Sequence, residues 1–141
     1  MKPIRRALAV ALVAGMWLSL AATAAFAHAS LESSDPSNGE LLETAPDRIS
    51  LTFTEPPDLS LTTIGVLDDT GTPVPTGPPE LAPGSDREVH VGLDPVPEGV
   101  YTVTWRTVSA TDGHVTSDAF SFGVGVSSEE VGPLTGGAGT T

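Results

Sequence analysis

Apolar and polar residues alternate along several short segments of this chain. In one of them Tyr101, Val103 and Trp105 are separated by threonines, so their side chains fall on one face of an extended strand and predict a core-facing position. No segment of useful length has helical periodicity, and residues 41–45 would make one turn at most. The same period-two pattern predicts strands over residues 49–54, 89–91, 101–106 and 120–124. A run rich in β-branched residues predicts another over residues 61–67, and a short first strand is expected near residue 31.

Turn-forming residues separate these segments. Residues 35–39, 68–71 and 94–99 are rich in Asp, Pro and Gly, which favour tight turns. Residues 72–86 contain five prolines and are predicted to form a long loop or an edge segment. Short strands joined in this way predict an all-β fold, an antiparallel β-sandwich with Greek-key connections.

The first 27 residues have the pattern of a secretory signal peptide. A basic start is followed by an uncharged apolar stretch over residues 7–20, and Ala25-Phe26-Ala27 fits the small-x-small sequence after which signal peptidase cuts. Cleavage there predicts an extracytoplasmic protein, periplasmic or secreted, of one domain over residues 28–126. Residues 127–141 are polar and glycine-rich, and we expect a flexible tail there.

Composition narrows the possible functions of the mature chain. All 18 acidic residues but only three of the six basic ones follow Ala27, so its formal charge is −15, which argues against binding nucleic acid. The chain has no cysteine, which excludes thiolate nucleophiles, zinc–thiolate sites and blue-copper centres. Both methionines, Met1 and Met16, precede the cleavage site, so the mature chain has no sulfur ligand for Cu(I).

Histidine at position 28 would be the first residue of the mature protein. Its free α-amino group and imidazole would then offer two nitrogen donors from one residue. Asp112 and His114 lie two positions apart around Gly113, so both side chains can point to the same side of extended backbone. Three nitrogens and one carboxylate suit the tetragonal geometry of Cu(II). Taken alone, Asp-Gly is a common turn dipeptide, and the neighbouring histidine is often simply solvated.

Several separated blocks of the chain resemble the CopC family of copper-binding proteins. The blocks are AHA at 27–29, ISLTFTEP at 49–56, GVYTVTWR at 99–106, VSATDGH at 108–114 and FSF at 120–122. The resemblance implies a Greek-key β-barrel or sandwich of immunoglobulin-like, cupredoxin-like topology. It also implies that this domain binds Cu(II) through His28, by amine and ring, with Asp112 and His114. It also implies that Glu55 orients a ligand imidazole. The family's methionine-rich Cu(I) site has no counterpart here, so we expect a Cu(II)-only protein.

The leading hypothesis is therefore an exported, monomeric protein that binds one Cu(II), for copper sequestration, resistance or delivery to a membrane copper importer. Four protein donors would leave no open coordination position, which argues against an enzyme. One alternative is a copper monooxygenase using His28 as half of a histidine brace. The other is a metal-free immunoglobulin-like interaction module. Tyr101 and Trp105 are predicted to fill the core, and His90 to face solvent without binding metal.

Overall fold

The computed structural model describes residues 29–131, which form two packed β-sheets. Strand order is β1-β3-β7-β6 in the four-stranded sheet and β2-β9-β8-β4-β5 in the five-stranded sheet. The strands are β1 (Leu31–Asp35), β2 (Leu41–Leu42), β3 (Arg48–Phe53), β4 (Thr63–Leu67), β5 (Pro73–Val74), β6 (Glu80–Leu81), β7 (Glu88–Gly92), β8 (Gly99–Val108) and β9 (Val115–Val124). The predicted β-sandwich is confirmed. Within the described residues, no helix is long and apolar enough to cross a bilayer.

The core lies between the two sheets and is built from the alternating apolar positions. The Phe53 ring of β3 meets the Trp105 ring of β8 edge-on, with ring centroids 5.4 Å apart, so an aromatic contact joins the two sheets. Tyr101 stacks on Phe122 at 5.6 Å, and its hydroxyl donates to the Pro97 carbonyl four residues upstream. A tyrosine bonded back in this way is characteristic of Greek-key sandwiches. Tyr101 and Trp105 are buried as predicted.

The longest paired unit is the hairpin formed by β8 and β9. The two strands pair without a register break from Gly99 opposite Val124 to Val108 opposite Val115. Each strand contributes ten residues to this pairing, which fixes the position of the loop between them relative to the sandwich. The loop that joins them contains Asp112-Gly113-His114, so the most extensively paired strands of the five-stranded sheet carry the candidate metal ligands.

Two segments differ from, or refine, the sequence-based prediction. Residues 41–45 make no helical turn, because Leu41–Leu42 pairs in parallel with β9, and the Leu42 carbonyl accepts from the Gly125 N–H. This parallel pair is also an exception to the predicted antiparallel sheets. Within residues 72–86, β5 and β6 each form a two-residue edge strand, one per sheet, which confirms the edge-segment prediction. Prolines concentrate there because an edge strand leaves N–H positions unpaired.

The chain beyond β9 is described only to Val131. Ser127 begins a turn in which its N–H and hydroxyl donate to the Glu130 carboxylate, at 2.8 Å and 3.0 Å. The turn brings Val131 close to Gly123, where an added Cβ would lie 2.8 Å from a Val131 methyl carbon. The rest of the predicted tail, residues 132–141, lies outside the described residues, as do the predicted signal peptide and His28.

Candidate metal centre

The loop between β8 and β9 is a closed, hydrogen-bonded turn. The Ser109 N–H donates to the His114 carbonyl at 2.9 Å, and the Gly113 N–H donates to the Ser109 carbonyl at 2.9 Å. Gly113 has φ +76°, in the left-handed region that favours glycine, and an added Cβ would meet nothing within 4 Å. Backbone conformation rather than crowding therefore calls for glycine between Asp112 and His114.

This turn brings the side chains of Asp112 and His114 together. The Asp112 Oδ2 lies 2.8 Å from the His114 Nδ1, and Asp112 Oδ1 accepts from the His114 backbone N–H at 3.0 Å. The backbone hydrogen bond from His114 is the main cause that lowers the pKa of Asp112 below its usual value. The two side chains are 28% and 46% exposed, so an ion from solvent can reach both donor groups.

Glu55 is connected to this turn through Ser109. The Ser109 hydroxyl donates to Glu55 Oε2 at 2.9 Å and accepts from the Thr111 N–H at 3.1 Å. It also lies 3.4 Å from the Asp112 N–H. Ser109 is almost fully buried, at 2% exposure, so its hydroxyl depends on these partners. Contact of Glu55 with a ligand imidazole stays a prediction, whereas its bond to Ser109 is a feature of the structure.

The start of the described chain is held next to the same end of the sandwich. Ala29, the residue after His28, is fully buried, and its carbonyl accepts from the Thr116 hydroxyl at 2.6 Å. Ser30 is bound to Thr54 twice, through N–H to hydroxyl at 3.1 Å and carbonyl to N–H at 2.8 Å. Thr54 precedes Glu55, and Thr116 lies two residues after His114. The first described residues therefore lie between the segments that carry Glu55 and His114.

Sequence reasoning did not identify Ser109 and Thr116 as residues of this site. Ser109 was part of the family-like block, but its hydroxyl had no assigned role. Thr116 lies two residues after His114, in β9, which begins at Val115. The bond from Ser109 to Glu55 joins residues 54 positions apart, and the bond from Thr116 to Ala29 joins residues 87 positions apart, so both needed the fold.

Other parts of the described chain have weaker claims to bind metal. Across residues 29–131, no three His, Cys, Asp or Glu side chains form a cluster that could hold an ion. His90 faces the exposed Glu80 across neighbouring strands at 3.8 Å, with its side chain 19% exposed. A surface cavity of about 310 Å³ is lined by residues including Asp68 and Tyr101, near the start of β8. This cavity lies at the opposite end of β8 from the turn that carries Asp112 and His114, the metal-candidate turn.

Comparison with known proteins agrees with this architecture. The family model for the CopC domain matches residues 31–125. The chain is 34% identical over 113 residues to copper resistance protein C of Escherichia coli, covering 73% of this chain and 86% of that protein.

Two solved structures resemble the fold. CopC from Methylosinus trichosporium OB3b superimposes with a TM-score of 0.64 at 27% identity, covering 69% of this chain and 93% of that one. PcoC, a methionine-rich copper resistance protein from Escherichia coli, gives 0.62 at 26% identity, covering 70% and 99%. The family match, the identity and the shared sandwich together show that this chain belongs to the CopC family of copper resistance proteins.

Proposed function

We propose that this protein is exported and binds one Cu(II) through the amine and imidazole of a mature N-terminal His28, together with Asp112 and His114. Its role is copper sequestration, or delivery to a membrane copper importer, without turnover of a substrate. Copper is cargo in this proposal. The ligands come from two parts of the chain.

The first part is the Asp112–His114 pair. Metal–nitrogen and metal–oxygen bonds are about 2.0 Å long, so two donors at right angles around one ion lie about 2.8 Å apart. The Asp112 Oδ2 and His114 Nδ1 have that separation already, at 2.8 Å. One ion bound by both atoms therefore fits the separation that the closed turn around Gly113 already gives the two donors.

The second part is the attachment of Ala29, and this observation carries the proposal. Consecutive α-carbons are about 3.8 Å apart, so the chain can place the α-carbon of residue 28 no farther than that from the α-carbon of Ala29, which is fully buried. The Ala29 carbonyl is bonded to Thr116, which lies on the strand that follows His114. A chain cut after Ala27 would therefore present its terminal amine and imidazole at the end of the sandwich that holds Asp112 and His114.

The oxidation state follows from the available ligand atoms. Thioether and thiolate groups suit Cu(I), whereas imidazole, amine and carboxylate suit Cu(II). Met1 and Met16 both precede the proposed cleavage site, and the chain has no cysteine. The related PcoC is described as methionine-rich, so this chain differs from that relative in the residues that would hold Cu(I).

The test is copper binding by protein that begins at His28. Competition titration should give one Cu(II) per chain, and electron paramagnetic resonance should show a tetragonal site with several nitrogen ligands. Asp112→Asn and His114→Gln should each weaken binding and change the spectrum, because each removes a donor. His90→Gln is the matched control and should change neither. An identical spectrum for wild type and His114→Gln would overturn the proposed ligand set.

The absence of turnover and the export of the chain have their own measurements. Copper-loaded protein should consume hydrogen peroxide no faster than free Cu(II) does, because four protein donors close the equatorial plane. Copper-dependent peroxide consumption or polysaccharide cleavage would support the monooxygenase alternative instead. Intact mass of the exported protein should correspond to a chain that begins at His28, and a mass that includes other N-terminal residues would contradict the proposed site.

A further inference from the structure

We propose that Thr116 is a positioning residue that holds the N-terminal segment in register with His114, so that the two halves of the copper site meet. This inference rests on the proposed function and adds a residue to it. Thr116 contributes no metal ligand. Its hydroxyl donates to the Ala29 carbonyl at 2.6 Å, and this bond joins residues 87 positions apart in sequence.

The position of Thr116 in β9 restricts the movement of its hydroxyl. It pairs with Thr107 of β8, whose side chain is fully buried and whose hydroxyl lies 2.8 Å from the Thr62 hydroxyl. Thr62 in turn donates to the Asp58 carbonyl at 2.8 Å. The neighbouring strand β8 is therefore held to the backbone at Asp58, and the β-branched side chain of Thr116 has few rotamers available.

The bond also connects elements that belong to different sheets. Ala29 and Ser30 lead into β1 of the four-stranded sheet, and Ser30 is bonded to Thr54 just after β3 of that sheet. Thr116 belongs to the five-stranded sheet. Its hydroxyl therefore attaches the N-terminal segment to the strand that begins just after His114. A metal site shared by the two segments depends on their relative position, and a displacement of a few tenths of an ångström is significant for ligand bonds of about 2.0 Å.

Copper binding in two backgrounds tests this role. Thr116→Val keeps the β-branched shape and removes the hydroxyl, so it should weaken Cu(II) binding by protein that begins at His28. The loss should be roughly two- to twelve-fold, the value of one net hydrogen bond. Thr116→Ser keeps the hydroxyl and should restore binding. In protein that carries one extra alanine before residue 28 together with His28→Gln, neither the amine nor the imidazole of that residue is available as a ligand, and Thr116→Val should leave the residual affinity unchanged.

A copper-free readout and a matched control complete the design. Hydrogen exchange at the Ser30 amide should be faster in copper-free Thr116→Val than in wild type, because one attachment of this segment is lost. Thr102→Val removes a similar part-buried hydroxyl, paired with Ser121 at 3.1 Å, about 17 Å away along the hairpin. It should leave copper affinity, the paramagnetic spectrum and Ser30 exchange as in wild type.

The outcomes separate this inference from the proposed function. If Thr116→Val binds Cu(II) as tightly as wild type, or weakens binding equally in both backgrounds, the positioning role is wrong while the ligand set stands. If wild type itself gains no affinity from a free His28 amine, the proposed function is wrong, and the positioning role fails with it. Selective weakening with rescue by Thr116→Ser supports both.

Discussion

Replacing Ser109 with alanine removes the hydroxyl at the centre of the contacts beneath the metal-candidate turn. That hydroxyl donates to the Glu55 carboxylate at 2.9 Å and accepts from the Thr111 N–H at 3.1 Å, while the serine is 2% exposed. Alanine fits the same space but satisfies neither partner. The variant therefore measures how much these polar contacts stabilise the fold, without introducing a steric clash.

The magnitude follows from the two shorter bonds lost, because the third contact, with the Asp112 N–H, is long at 3.4 Å. A hydrogen bond to a charged carboxylate contributes about 1.5–3 kcal/mol and a neutral one about 0.5–1.5 kcal/mol. Glu55 and Thr111 both have access to water, which replaces part of each bond in the variant. We therefore expect Ser109→Ala to lower the free energy of unfolding by about 2–3 kcal/mol. For a domain of about 100 residues this lowers Tm by on the order of 10–20 °C.

Urea unfolding of copper-free protein, followed by the fluorescence of the buried Trp105, measures this loss. Ser60→Ala is the matched control, because the exposed Ser60 hydroxyl donates to the Asp58 carboxylate at 2.6 Å. It should change stability by less than about 0.5 kcal/mol. In the background of Glu55→Gln, the cost of Ser109→Ala should fall, since the two side chains share one bond. A Ser109→Ala protein as stable as Ser60→Ala would refute the reasoning.

Three further predictions concern the core, a turn and the copper site. Phe53→Ala should cost about 3–5 kcal/mol by urea unfolding, because the ring is fully buried between the sheets; a cost no larger than that of exposed Leu81→Ala would contradict this packing. The Thr70 hydroxyl is the main cause that lowers the pKa of Asp68, so Thr70→Val should raise that pKa toward the ordinary value of an aspartate in an NMR titration. A carboxyl group whose pKa is lower in the folded than in the unfolded state stabilises the fold at pH values above its unfolded-state pKa. This stabilisation is lost as the pH falls through the folded-state pKa. An unchanged Asp68 pKa in Thr70→Val would refute the assignment. Copper affinity should fall as pH drops from about 8 to about 5, because nitrogen ligands must lose protons to bind, and a constant affinity would exclude them.

Strands β4, β7 and β8 were predictable from sequence because alternate residues of each are buried in the core. The alternation of Tyr101, Val103 and Trp105 is repeated in the structure as buried positions of β8. Leu41–Leu42 was not recognised as a strand, since two residues are too few for a period to show. Its conformation is set by backbone pairing with β9, which depends on the tertiary fold.

The site was predictable only as far as local spacing extends. The i+2 spacing of Asp112 and His114 predicted that their side chains share one side of extended backbone. They do lie 2.8 Å apart, but because the backbone turns at Gly113, where φ is +76°. The attachments around them join distant residues, Glu55 with Ser109 and Ala29 with Thr116. A single sequence carries no signal for such pairs, because hydroxyl groups are common and their partners are chosen by the fold.

The most direct test of the account compares Cu(II) affinity of two proteins that differ by one residue. One begins at His28, and the other carries a single alanine before it, which removes the free amine and leaves every side chain in place. The account predicts much weaker binding by the extended protein, with a paramagnetic spectrum that shows fewer nitrogen ligands. Equal affinity and identical spectra for the two proteins would contradict the claim that the mature N-terminus binds copper.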